Sequence, residues 1–195
     1  MDEKAIFSAV DSLQRIFTVV LALALGEALK QFVADKAENP KDRIIHWDRL
    51  VALLAFLLLL IPFYEGMARY LYAEFQTPKR ATHYSGFLLM DSIAFTIEAS
   101  LFFVMSRALP MVQWRRFYAA VLVILGVDTA WEVILLVTNR PASLSWLSLN
   151  LAFAAVLAVI LIKCADKRGP YLAAIAMLLR TIFDYVTNWG FYFPS

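Results

Sequence analysis

The chain is poor in the residues that build disulfides, haem sites and phosphate loops. Among 195 residues it holds one cysteine, two histidines and six glycines. A single thiol, Cys164, forms no intrachain disulfide, so no covalent framework supports the fold. A haem held between two helices wants histidines inside those helices, whereas His46 and His83 fall in polar stretches. A b-type cytochrome is therefore not expected, and neither is any other cofactor. The glycines form no P-loop, and HExxH and GxSxG are absent as well, which removes the usual nucleotide, zinc and serine-hydrolase signatures. Charge is scarce too: 17% of residues are charged, against about a quarter in soluble domains. The net charge of +2 gives no reason to expect a nucleic-acid partner.

Apolar residues fill the space these absences leave. They make up 62% of the chain, with 14% aromatic and a mean hydropathy of +0.67, and soluble domains sit at about 45–50%. A spanning helix needs about 20 mostly apolar residues, each adding about 1.5 Å across a core about 30 Å thick. Six segments meet that requirement: 14–34, 49–71, 86–107, 116–138, 145–164 and 171–191. In lipid each must satisfy its own backbone, which makes it a helix, and no strand-like alternation suggests a barrel. The expected fold is all-α: a polytopic membrane bundle of six transmembrane helices with short loops and no soluble domain, residues 1–195 forming one unit.

Proline placement supports this division. Pro40, Pro78, Pro110, Pro141 and Pro170 each occupy a different connection, while Pro62 lies inside the second segment and should kink it. Trp47, Trp114, Trp146 and Trp189 lie near segment ends, as interface anchors do. A signal peptide is a rival reading of the first segment. Its cleavage-like triplet Ala22-Leu23-Ala24 lies within the apolar run, and Asp2, Glu3 and Asp11 spoil the basic region, so the segment is read as a retained span. Leu25-Gly26 and Leu125-Gly126 both follow apolar runs and precede an acid, a short echo of the three-plus-three repeats of transporters.

Orientation follows from the basic residues. Lys36, Lys41, Arg43, Arg49, Arg107, Arg115, Arg116, Lys163, Lys167 and Arg168 fall on one side, and Lys4, Arg15, Lys79, Arg80 and Arg140 on the other. The positive-inside bias puts the first group in the cytoplasm and both termini outside, in a plasma or inner membrane. The bilayer is then the first partner, with a homo-oligomer or a second membrane protein as further candidates. Ala22 and Gly26 make a small-xxx-small pair, and Ala152, Ala154, Ala155 and Ala158 line the fifth segment.

Ionisable residues within the segments carry the functional question. Each costs about 2.5–3.5 kcal/mol at a bilayer centre if it faces lipid, so they must face the interior, a partner or water. Glu65 and Arg69 are spaced i,i+4, as are Arg180 and Asp184, and Glu27 and Lys30 are i,i+3, so local pairing accounts for them. Asp91 and Glu98 (i,i+7) and Asp128 and Glu132 (i,i+4) share a face of the third and fourth segments, neither of which supplies a cation. The expected site is an acidic, outward-opening cavity for protons or cations. Glu98 and Asp128 are its central groups, Asp91 and Glu132 the outer vestibule, Arg180 the counter-charge at its base, and Glu65 and Asp184 further vestibule residues. Whether a metal is among the cations is left open. The competing expectation is a polar core in which Thr96, Ser100, Thr129 and Thr181 satisfy the acids.

Three functions fit these residues. The first is a small channel or transporter for protons or cations. The second is a non-transporting membrane subunit, such as an anchor, sensor or effector. The third is a membrane-embedded enzyme. For the third, Glu65-Gly66-Met67-Ala68-Arg69 resembles the DGxxAR core of CDP-alcohol phosphotransferases, but Pro62 and Pro78 stand where that family has an aspartate and a glycine. Asp128 and Asp184 lack the GxGD turn of intramembrane aspartyl proteases.

Overall fold

A computed structural model describes residues 3–33, 47–75, 87–109, 113–140, 142–164 and 168–193. Pro40, Pro78, Pro110, Pro141, His46, His83 and connection residues such as Lys36, Lys41, Arg43, Lys79, Arg80 and Lys167 lie outside them. Seven helices and no strand are found among the described residues: α1 (Glu3–Val33), α2 (Trp47–Phe75), α3 (Phe87–Arg107), α4 (Trp114–Val137), α5 (Leu144–Lys163), α6 (Gly169–Thr187) and α7 (Trp189–Tyr192).

Helices α1 to α5 are long and apolar enough to cross a membrane. The chain is a helical, membrane-type protein. The sixth expected segment differs in two ways. Arg180 and Asp184 fall within the 19 residues of α6, which is not among those five. The helix also stops at Thr187 instead of running to 191. Asn188 ends it, because its amide donates to Asp184 Oδ1 at 2.8 Å and accepts from Ser145 Oγ at 2.7 Å. Such side-chain bonding competes with the helical backbone. α1 starts eleven residues earlier than expected, at Glu3 rather than 14, and its first turns carry the exposed Arg15–Asp11 pair at 2.7 Å.

The helices close into a ring. In order around it, α1 packs on α2, α2 on α6, α6 on α5, α5 on α4, α4 on α3, and α3 back on α1. The two halves of the chain are wired differently: α1 bridges α2 and α3, whereas α5 bridges α4 and α6. This does not follow the three-plus-three echo at Gly26 and Gly126. The face of α1 that packs on α2 and α3 buries Phe17, Leu21, Ala24 and Ala28, with Phe17 edge-on to Phe95 of α3 at 5.8 Å. The expected Ala22/Gly26 pair points away from this face; a Cβ on Gly26 would meet nothing within 4 Å. Ala24 and Ala28, both fully buried, are the small residues on the packed face instead.

Pro62 sits inside a continuous α2. Proline removes the donor for the carbonyl four residues earlier, here Leu58, and Thr181 Oγ1 of α6 supplies that bond at 3.0 Å. Pro170 lies in the first turn of α6, where a missing N–H costs nothing.

Candidate functional site

The ring encloses a cavity of about 90 Å³. One side of it is polar, formed by Asp128 and Glu132 of α4, Asn150 of α5, and Arg180 and Asp184 of α6. The other side is aromatic and aliphatic, with Phe63 and Tyr70 of α2, Phe95 of α3 and Trp131 of α4. Helical spacing explains this division. Asp128 and Glu132 are one turn apart, as are Arg180 and Asp184, so each pair projects from one face. On α3 the same face carries Asp91 and Glu98, which are 0% and 1% exposed.

Arg180 is the centre of the polar side. Its Nη2 donates to Asn150 Oδ1 at 2.7 Å. Its ion pairs are longer, 4.0 Å from Nη2 to Asp128 Oδ2 and 3.9 Å from Nη1 to Asp184 Oδ2. A charge-assisted N–H···O bond runs to about 2.7–2.9 Å, so the guanidinium stands between two aspartates without closing on either. Its Nε is buried and has no hydrogen-bond partner among the described residues. Asp184 is well satisfied from other sources: Oδ1 accepts from Trp146 Nε1 at 2.7 Å and Asn188 at 2.8 Å, and Oδ2 from the Tyr192 hydroxyl at 3.1 Å. Asp128 takes only Asn150 Nδ2, at 3.4 Å, among side-chain amides.

Behind Asp128 lies Glu98. The two carboxyls approach closely enough to share a hydrogen bond, and Arg180 is near enough to act on both. The Glu98 Oε2 atom is buried and without a hydrogen-bond partner among the described residues. Glu132, 2% exposed, accepts from the backbone N–H of Ser143 at 2.9 Å and so fixes the start of α5. Among the described residues no Lys or Arg nitrogen lies within 4.0 Å of it, and no three His, Cys, Asp or Glu converge as metal ligands.

Compared with protein-family models, curated proteins and solved structures, the chain matches none. The site must be read from its own geometry.

That geometry separates the seven residues expected in one acidic vestibule into three groups. Glu98, Asp128, Glu132, Arg180 and Asp184 gather at or just behind the cavity. Asp91 does not join them. It is sealed in its own box by Trp131 Nε1 at 3.0 Å, the Tyr70 hydroxyl at 3.3 Å and Arg140 at 3.1 and 3.3 Å. Arg140 also reaches Glu74 at 3.4 Å and lies over the Phe87 ring at 4.6 Å. Burial works against its charge, but the bond to Asp91 and the nearby Tyr70, Asp91 and Glu74 outweigh it and raise the guanidinium pKa. Glu65 stays on a side groove, held by Arg69 at 3.1 Å and by Tyr185 at 3.2 Å.

The hydroxyls expected to satisfy the acids do something else. Thr96, Ser100 and Thr129 donate to carbonyls four residues back, and Thr181 to Leu58. Phenols and indoles take that role instead: Tyr70, Trp131, Trp146 and Tyr192. Sequence marked Trp146 as an interface anchor, whereas its indole donates to Asp184; Tyr70, Trp131 and Tyr192 were not singled out, nor were Arg140 and Asn150 as partners. For Asn150 a signal existed, since a lone amide in an apolar span seeks a hydrogen bond across helices.

Proposed function

We propose that the chain is a small membrane protein that moves protons or cations, using the ring cavity as its transit site. The observation that carries this reading is the Glu98–Asp128 pair, set near mid-helix beside an Arg180 that closes on neither aspartate. Two carboxyls share a hydrogen bond only with a proton between them, because an ionised carboxylate has no donor. Arg180 is the competing cation for the same carboxylate. A proton arriving at Asp128 weakens its hold on Arg180 and frees it toward Asp184, and Arg180 moving back toward Asp128 favours the proton's departure. Ionisable groups inside spans are costly to keep, which favours use over packing. The reading takes α6 as a sixth span, the bundle as lying in a plasma or inner membrane, and both termini as outside.

The test is flux from liposomes holding the purified chain, beside Glu98→Gln and Asp128→Asn. Each variant must first elute and melt like the native protein. Proton or cation flux that is present in the wild type and absent from both variants is the expected result. Flux equal to that of empty liposomes would overturn the reading.

A second reading, a non-transporting subunit of a larger assembly, is favoured by α5, whose only buried residues are Asn150 and Leu157. Its outer face would then meet a partner helix rather than lipid. Co-purification of a membrane protein that shields α5 is the result that would favour it.

A further inference from the structure

The cavity combines carboxylates with an aromatic box, and that combination selects one class of cation. Phe63, Tyr70, Phe95 and Trp131 all line it. Their rings lie against one another, Tyr70 4.7 Å from Trp131, Trp131 5.6 Å from Phe95, and Phe95 6.4 Å from Phe63. Glu132, next to Trp131 in the chain, brings a buried carboxylate with no cation of its own among the described residues. Ring faces attract cations that carry little bound water, and aromatic cages with a nearby acid are built for substituted ammonium groups.

We infer that the cavity binds a small organic ammonium ion, its charge facing Glu132 and Asp128 and its alkyl groups against Phe63, Tyr70, Phe95 and Trp131. The inference rests on the cavity being the cation site proposed above and names the class of cation it takes. A metal ion fits less well. It demands several converging oxygens, and no such set forms among the described residues. A hydrated ion would also leave the aromatic side unused. Size narrows the class further. A cavity of 150 Å³ takes benzene with its six carbons, so 90 Å³ suits about four non-hydrogen atoms, a size that admits methylammonium, is filled by tetramethylammonium and excludes tetraethylammonium. Arg180 itself stays held by Asn150 at 2.7 Å.

The experiment is calorimetric titration of the full chain in lipid nanodiscs with methylammonium, tetramethylammonium and tetraethylammonium chlorides against a sodium chloride background. Methyl- and tetramethylammonium should bind saturably, and tetraethylammonium should not. Glu132→Gln and Trp131→Leu should each weaken tetramethylammonium at least tenfold, while Glu27→Gln on α1 leaves it unchanged. If the two cavity variants do not fold, the size series on the wild type still decides. Equal binding of all three ions, or none, overturns the inference. The flux assay separates this from the transport reading. Flux without tetramethylammonium binding overturns the ammonium site alone. Binding without flux of protons, sodium, potassium or methylammonium overturns transport alone.

Discussion

Thr181 donates its hydroxyl to the Leu58 carbonyl at 3.0 Å, the acceptor that Pro62 leaves without a helical donor. Within a bilayer a bare carbonyl finds no water, so the bond between α6 and α2 meets a need that the proline created. Thr181→Val keeps the shape and removes the donor, and should cost about 1–3 kcal/mol, the penalty of an unsatisfied buried group. In a Pro62→Ala background, where residue 62 again offers its N–H to Leu58, the same change should cost less than half as much. Unfolding of the four proteins in micelles would measure this. Equal costs in both backgrounds would show that the hydroxyl has another role.

The Asp91–Arg140 pair makes a stronger demand. Asp91 is 0% exposed and meets the Arg140 guanidinium through bonds of 3.1 and 3.3 Å. Arg140→Met leaves that carboxylate buried and without its cation, at a cost of about 3–5 kcal/mol. Adding Asp91→Asn removes the charge that needed a partner, so the double variant should recover much of the loss. Arg140→Lys should fall between, because an ammonium cannot reach Asp91, Glu74 and Tyr70 while stacking on Phe87. Melting temperatures of the three variants test the order. A double variant no better than Arg140→Met would mean that Arg140 acts mainly through its contact with Phe87.

The helices were legible in the sequence because a span must satisfy its own backbone, and that demand leaves a run of apolar residues whatever the tertiary structure. The break at Asn188 was not, because the residues that cause it, Ser145 and Asp184, are far away or a full turn back. Nor was the ring order, since helices that are apolar on every side carry little information about which face meets which neighbour. The acids could be marked as costly, and Asp128, Glu132, Arg180 and Asp184 do line one cavity, with Glu98 behind Asp128. Their partners were hidden. Arg140 lies in a connection, where a basic residue is first read as an orientation signal, yet it folds back onto a helix 49 residues earlier in the chain.

Glycines sort by what surrounds them. A Cβ on Gly169 would meet Trp114 at 2.7 and 2.9 Å and the Cys164 carbonyl at 3.0 Å. Gly169→Ala must push the start of α6 away from Trp114 and should cost about 1–3 kcal/mol, as overpacking does. At Gly126, inside α4, a Cβ meets nothing within 4 Å. Gly126→Ala should stabilise by about 0.5–1 kcal/mol, because alanine loses less backbone freedom in a helix. Opposite shifts in micellar unfolding are the expected result, and a destabilised Gly126→Ala would point to an unseen neighbour such as a second copy.

Which compartment the polar end of the bundle faces can be read with the one native thiol. Cys164 follows the end of α5 and is partly exposed. It lies at the end of the bundle that carries Arg107, Arg115, Arg116 and Lys163, near the start of α6 at Gly169. Thr138 caps α4 at the opposite end, beside Arg140 and the Glu132–Ser143 bond. Basic residues near span ends favour the cytoplasm, so a membrane-impermeant maleimide should leave Cys164 unlabelled in intact cells and label it once they are opened. In a Cys164→Ala background, Thr138→Cys should be labelled from outside without opening. The reverse pattern would turn the bundle over. Under the proposed transport reading, the cavity would then open toward the cytoplasm.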